Sequence, residues 1–451
     1  MKYSFSPSPN YRNQQSTVGI MRHLTLCLCS IVVFAILYYW KAFGPQYGLR
    51  VLLMTAASVA SALITEALYF KLQKKDVVKE LKHSFGWVTA LILVLITKIN
   101  VSFFALIVST VIAIIAGKLV FGGFGQNIFN PAAFGEALIM NSFAASTNPD
   151  FVTSATPMGS MNAYGWVMDS STFGTFIKQF GGLGNMFLGN YPSVIGGSCA
   201  LLILLCWAYL LWQKDVDWRL SATYLGCVFV FSLIIGLIHG AGIWYAVFHV
   251  LGGGVLFGAV FMMTDPVTNP ITIPGRIIFA VGAAALTLII RLKASLPDGV
   301  LFSILLMNML TPGIDKFVDG NQIKDAKTIR TKVLAVASVC TAVTLLIGAT
   351  CEGKIPGGAA EAAVEGNTAT GTADGFGGEV SVTLTVEDGK ITECTIVGEK
   401  ETPAVGGAAI PELTQQILDA NSAEIDGVTG ATITSTAVKS AAGAALEALG
   451  Q

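Results

Sequence analysis

The sequence predicts a polytopic α-helical membrane protein: about ten spans in two inverted halves, a tether helix, then a small extracytoplasmic α+β domain. Three observations predict it. The 451-residue chain is 53% apolar and 12% charged, against roughly 25% charged for an average soluble domain. Its mean hydropathy is +0.67, so most of it dissolves in lipid. Its charge is also divided: after Gly348 there are about 15 acidic and 4 basic residues, before it about 13 and 23, which marks two units. The positive charge is scattered through short loops, a pattern that excludes a nucleic-acid binder.

The apolar runs lie at 24–40, 48–70, 85–97, 101–119, 134–145, 193–212, 222–238, 242–263, 277–290, 299–310 and 333–348. Several are shorter than the roughly 20 residues needed to cross a bilayer. The run 134–145, flanked by Gly and Pro, reads as a half-helix, which is tolerated where irregular backbone lines a buried cavity. Basic residues orient the runs. Lys2, Arg12 and Arg22 precede the first; Lys71, Lys74, Lys75, Lys79 and Lys82 follow the second. Lys214 and Arg219 follow the run ending at 212, and Lys316, Lys324, Lys327, Arg330 and Lys332 precede the last. All share one side if the N-terminus is cytoplasmic; Arg291 and Lys293 are exceptions. Segment 146–192 and everything after Gly348 then lie outside.

Five runs precede the 146–192 loop and five follow it before the tether, so the halves run in opposite senses. Each half has a glycine cluster followed by Asn-Pro: GGFGQNIFNPAAFGEAL in the first, GGGVLFGAVFMMTDPVTNP in the second. The predicted divisions are a membrane domain over 1–320, a basic loop and tether helix over 321–350, a linker over 351–374 and a terminal domain over 375–451. The Gly/Ala/Thr-rich stretch 357–372 reads as flexible. In the terminal domain Val380, Val382, Leu384 and Val386 alternate onto one strand face. Glu387 to Lys390 is a turn, 391–397 the returning strand, and 413–420 and 434–449 are helices.

The eight cysteines form no C-x-x-C pair, and most lie in apolar runs as small hydrophobes. The polar N-terminus, MKYSFSPSPNYRNQQ, is unlike a cleaved signal peptide.

One heptapeptide pattern occurs twice. Residues 150–156 read DFVTSAT and 426–432 read DGVTGAT. Each is Asp-x-x-Thr-small-Ala-Thr, with Asp150, Thr153, Ala155 and Thr156 in register with Asp426, Thr429, Ala431 and Thr432. The second precedes a helix, whose unpaired N–H groups and dipole favour a phosphate. The small residues, Gly430 among them, allow close approach to the Thr432 hydroxyl. Taken singly, the motif reads as a helix cap with Thr434 or Ser435 opening the helix. Two copies in one compartment point beyond capping, and Pro157 allows only a first helical turn after the upstream copy.

The pattern resembles the target of flavin transferase, which esterifies the phosphate of FMN onto the final Thr. The resemblance implies covalent FMN on Thr156 and Thr432, with Ser154 standing where Gly is commoner. SPSPNYR, GGFGQNIFNPAAFG, FLGNYPSVIGGS, FMMTDPVTNP and LLMNMLTPGID resemble the D subunit of the Rnf electron-transport complex and its homologue, the B subunit of Na⁺-translocating NADH:quinone reductase. The tail, with GEVSVTLTVEDGKI and GEKETPAVG, is similar to the FMN-binding G subunit. Gly196-Gly197-Ser198-Cys199 departs from the family's Gly-Glu-Thr-Ser, which loses a carboxylate in a span. The family also binds a noncovalent riboflavin, so a third flavin is expected without an assigned site.

His239 and His249 are read as satisfied polar groups or flavin contacts ahead of bis-histidine haem ligands, since one ends a helix and the other lies inside the next. His23 and His83 read as interfacial. Glu66, Lys98, Glu136 and Asp265 lie in or beside spans; Glu136 and Asp265 are the candidates for an ion path or buried flavin pocket, with capping of the next turn as the alternative for Asp265. The resemblance implies an Rnf-type ferredoxin:NAD⁺ oxidoreductase in the cytoplasmic membrane that moves Na⁺ or H⁺. Its partners would be the A, B, C and E subunits, with G optional, and flavin transferase for maturation. Two other readings stay open: a non-pumping flavin conduit to extracellular acceptors, and a solute transporter or channel with a structural tail.

Overall fold

The computed structural model describes residues 16–143, 156–294, 299–320, 325–353, 361–387, 389–401, 406–428 and 431–449. The first half comprises α1 (Thr17–Phe43), α2 (Pro45–Leu72), the short α3 (Val77–Ser84), α4 (Gly86–Ile96), α5 (Phe103–Ile114) and α6 (Pro131–Ser142). Helices α7 (Pro157–Ala163), α8 (Ser170–Gln179) and α9 (Gly182–Leu188) then form a loop domain. The second half comprises α10 (Ala200–Trp212), α11 (Trp218–Ile238), α12 (Ile243–Leu251), α13 (Val255–Phe257), α14 (Ile273–Lys293) and α15 (Val300–Phe317); α16 (Ala326–Ala349) is the tether. Among the described residues six helices are long and apolar enough to cross, and α12 with α13 makes a seventh, bent by 62°. Three shorter apolar helices accompany them. Every predicted apolar run therefore contains a helix, but 193–199 is a loop ahead of α10 and 252–254 breaks the run 242–263.

Side-chain caps set many helix starts. Ser16 accepts from Gly19 N, Ser102 from Ala105 N, and Asn130 from Ala132 N and Ala133 N with Pro131 in the first turn. The α12–α13 bend falls on Gly252-Gly253-Gly254, where Gly253 has φ 69°. A π-helical turn ends each of two apolar segments, Ile115–Leu119 and Gly258–Met262. The Asn-Pro motif of the first half joins it to the second, and that of the second half is held within its own half. Asn130 N–H donates to Asn308 Oδ1 at 3.1 Å, Asn308 Nδ2 to Thr268 O at 3.3 Å, and Asn269 Nδ2 to Met263 O at 3.3 Å.

Arg291 is no loop charge. It is fully buried, donating to the backbone oxygens of His249 (2.9 Å) and Gly252 (3.2 Å). It ties α14 across the glycine break, which removes one of the two exceptions to the charge pattern.

The tail is an antiparallel sheet of order β1-β2-β3-β4, with β1 (Glu361–Glu365), β2 (Thr368–Asp374), β3 (Glu379–Glu387) and β4 (Lys390–Val397). Helices α17 (Gly406–Ala420) and α18 (Thr432–Ala448) cover it. Here the linker expectation fails: β1 and β2 occupy most of 357–372. The small residues that read as flexible are packing devices. Ala369 and Ala373 face inward, and a Cβ on Gly371, between them, would collide with the carbonyl of Ala441 in α18. Ala437, Ala441, Ala442 and Ala445 are fully buried, so an alanine-faced helix lies directly on an Ala/Gly strand. The threonines between pair across the sheet, Thr370 with Thr383 at 3.0 Å. Val380, Val382, Leu384 and Val386 form the predicted inward face of β3.

Candidate functional site

In the tail, α18 starts two residues before the expected 434, so Thr432 is its first residue. Ala431 is the cap residue and provides no side-chain cap. The capping reading therefore does not describe this copy. Thr434 and Ser435 lie inside the helix and serve other ends: Thr434 Oγ1 donates to Glu401 Oε2 (2.8 Å), and Ser435 Oγ accepts from Val428 N (3.0 Å).

The segment leading into Thr432 is held from both helices. Gly427 N–H donates to Gln416 Oε1 at 2.9 Å, Gln416 Nε2 to Gly427 O at 3.3 Å, and Lys439 Nζ to Asp426 O at 3.3 Å. Gly427 has φ 87°, which suits glycine. Thr429, Gly430 and the Thr432 side chain lie outside the described residues. Beside the motif, Glu424, Asp426, Lys439 and Ser440 line a shallow, solvent-open depression. Thr432 stands at the first position of a 17-residue helix, where backbone N–H groups and the helix dipole favour an anion. Gln416 and Glu401 were not singled out from sequence, and Thr434 and Ser435 only as helix openers, because their contacts arise only through the fold.

In the upstream copy Asp150, Thr153 and Ala155 lie outside the described residues. Half-buried Thr156 caps α7, its Oγ1 accepting from Gly159 N at 3.1 Å. Here the capping reading holds, and a phosphoester would use the same oxygen. The helix it opens packs on the glycine break: a Cβ on Gly252 would come within 2.7 Å of Met158 Sδ. Beneath lie Trp166, Phe173, Phe176, Tyr245, Phe248 and buried His249, with Tyr245 Oη donating to Trp166 O at 2.8 Å. The tether ends on the same surface. A Cβ on Gly353 would approach Val167 O to 2.5 Å, and His239 Nε2 lies 2.9 Å from Gly348 O. The polar-contact reading of His239 is the one its geometry shows.

The intramembrane candidates separate. Glu136 is buried on α6 and accepts from Thr97 Oγ1 at 2.5 Å. Asp265 is half-buried, its Oδ1 accepting from Val267 N at 3.1 Å as a turn cap. It lines a partly open cavity of about 90 Å³ with Lys118, Asn127 and Asn130, and Glu136 does not. Glu66 has a partner the sequence reading missed: Lys118 Nζ lies 2.7 Å from its Oε1, both side chains buried. Lys118 ends α5's π turn, which places it beside α2 only in three dimensions.

The membrane portion and the tail each match known proteins. Residues 4–324 match the NQR2, RnfD, RnfE family model. The chain belongs to that family. Residues 375–447 match the FMN-binding domain, leaving β1 and β2 outside the match. Among relatives of this NQR2, RnfD, RnfE chain is the D subunit of the proton-translocating ferredoxin:NAD(+) oxidoreductase complex of Clostridium ljungdahlii, 34% identical over 70% of this chain and 94% of that one. The D subunit of the Na(+)-translocating ferredoxin:NAD(+) oxidoreductase complex of Acetobacterium woodii is 32% identical over the same shares. The D subunit of an ion-translocating oxidoreductase complex of Escherichia coli is 30% identical over 70% of this chain and 97% of its own.

Proposed function

We propose that this chain is the electron-relaying subunit of an Rnf-type ferredoxin:NAD⁺ oxidoreductase coupled to Na⁺ or H⁺ movement, with FMN esterified to Thr156 and Thr432. One observation carries the reading. Thr432, the last residue of the repeated motif, opens a long helix in a domain matching the FMN-binding family, and both helices hold the preceding turn. A flavin exchanges one or two electrons, and so joins two-electron to one-electron carriers.

The chain's own residues position and tether. Gln416, Ser435 and Lys439 fix the approach to Thr432. Gly353 docks beside the loop that follows Thr156, which supports both attachment points serving one membrane face. The basic-residue pattern supports that face being extracytoplasmic. Between Gly353 and Glu361 the chain reaches at most about 28 Å, so the tail is held near the Thr156 loop. The A, B, C and E subunits would supply the nucleotide and iron–sulfur chemistry, with the fused tail standing in for G and flavin transferase loading the threonines.

The test is intact mass after cleavage at a protease site inserted between Gly353 and Glu361. Coexpression with flavin transferase should add one FMN phosphoester to each half; unmodified halves would leave the transporter reading in its place.

A further inference from the structure

At the membrane face that carries the basic loops, α1 and the α10–α11 loop meet through His23 and Asp215. His23 Nδ1 lies 2.7 Å from Asp215 Oδ2. Their burial is unequal: the imidazole keeps 29% of its surface exposed, the carboxylate 3%. Asp215 also lines the partly open 90 Å³ cavity, whose other ionisable lining groups are Lys118 and Asp265, with Thr89, Asn127, Asn130 and Thr264 as polar neighbours. One water needs about 10–15 Å³ of such space, so a short water chain fits. Beyond Lys118 lies Glu66, whose Oε2 is buried with no hydrogen-bond partner among the described residues. A partly exposed titratable ring, a buried carboxylate and a polar cavity thus stand in series.

We propose that His23 and Asp215 form a proton-uptake relay feeding this cavity. A proton bound at His23 Nε2 displaces the Nδ1 proton onto Asp215 Oδ2, leaving His23 neutral as the Nε2–H tautomer. Asp215 then passes that proton to cavity water, which delivers it to the carboxylate of Asp265; Asp215 is again ionised. Solvent exchange at the partly exposed ring, which removes the Nε2 proton and returns one to Nδ1, restores the starting tautomer, so each cycle carries one proton inward. Imidazole suits the first step because its two ring nitrogens let it take a proton on one side and release one on the other. The other groups facing the dyad are the Tyr209 ring at 5.7 Å and the Cys27 thiol. Arg22 and Lys214 adjoin it in sequence, and nearby Asp217 is engaged by Arg276 at 2.8 Å. The relay deepens the flavin reading, since flavin reduction consumes protons, and rests on it only for the redox trigger.

A strut holding α1 to the loop would need the hydrogen bond alone, which Asp215→Asn retains while removing the proton acceptor. The purified complex is reduced in a stopped-flow cell with a pH-indicator dye, flavin absorbance being followed in the same shot. Asp215→Asn should slow proton uptake by about ten-fold or more, and His23→Gln should slow it likewise. Asp215→Glu should restore it, and Asp217→Asn should leave it unchanged. Wild-type uptake in both Asp215→Asn and His23→Gln overturns the relay. A wild-type complex without flavin absorbance overturns the flavin reading instead. The relay is then decided by infrared titration: a pH-dependent carboxyl band that Asp215→Asn abolishes supports it, and its absence from the wild type overturns it.

Discussion

Thr434 Oγ1 donates to Glu401 Oε2 at 2.8 Å while Gly377 N–H donates to Oε1 at 3.0 Å, so one buried carboxylate ties the first turn of α18 to the β2–β3 connection. Glu401 is 4% exposed. Removing it strands the buried Thr434 hydroxyl, at a cost of about 1–3 kcal/mol when unpaired, while Gly377 is exposed to solvent. Glu401→Ala is expected to lower the thermal midpoint of the tail and to reduce in-gel flavin fluorescence from Thr432, leaving that from Thr156 intact.

Gly371 sits where α18 touches the sheet. Gly371→Val drives a side chain into the Ala441 carbonyl and should destabilise the tail by at least about 1–3 kcal/mol, the usual cost of overpacking. Denaturant unfolding of segment 361–451 measures it. A flexible linker at this position would tolerate the change.

Thr156 separates capping from attachment. Thr156→Val loses the bond to Gly159 N, costing about 1 kcal/mol of local stability, together with any attached flavin. Thr156→Asn retains a cap but offers no hydroxyl. Fluorescence absent from both variants, with local proteolysis faster only in the Val variant, is the expected pattern.

Cys394 is the one cysteine in the tail domain, and burial raises its thiol from 9.0 to about 11. The unfolded chain therefore loses this proton first. The stability contribution is intact below pH 9 and declines as pH rises toward 11. Alkylation of segment 361–451 at pH 8 should be slow in the folded state and fast in denaturant.

Linker length should control transfer between the two halves. Adding 20 Gly/Ser residues after Gly353 lengthens a seven-residue connection and dilutes the tail about eight-fold, by the −3/2 power of length. Flavin-to-flavin transfer, followed by stopped-flow absorbance, should slow by a similar factor.

Much of this was legible in sequence because it depends on local pattern. Each apolar run contains a helix, and the alternation of Val380, Val382, Leu384 and Val386 became a buried strand face. The strand at Thr368–Asp374 was missed because its inward residues are alanine and glycine, whose small size signals flexibility when the helix that needs it is unseen.

Composition and period by themselves determined the lipid-embedded body, the acidic tail and the repeated threonine motif, since transfer free energy and side-chain spacing are properties of neighbours along the chain. Only the tertiary structure decided which groups meet. Lys118 finds Glu66 52 positions away, and His23 finds Asp215 across 192. Gln416 and Ser435 close on one motif turn. Buried charges and donors are satisfied by whatever the packing brings within about 3 Å, and no linear pattern encodes that distance.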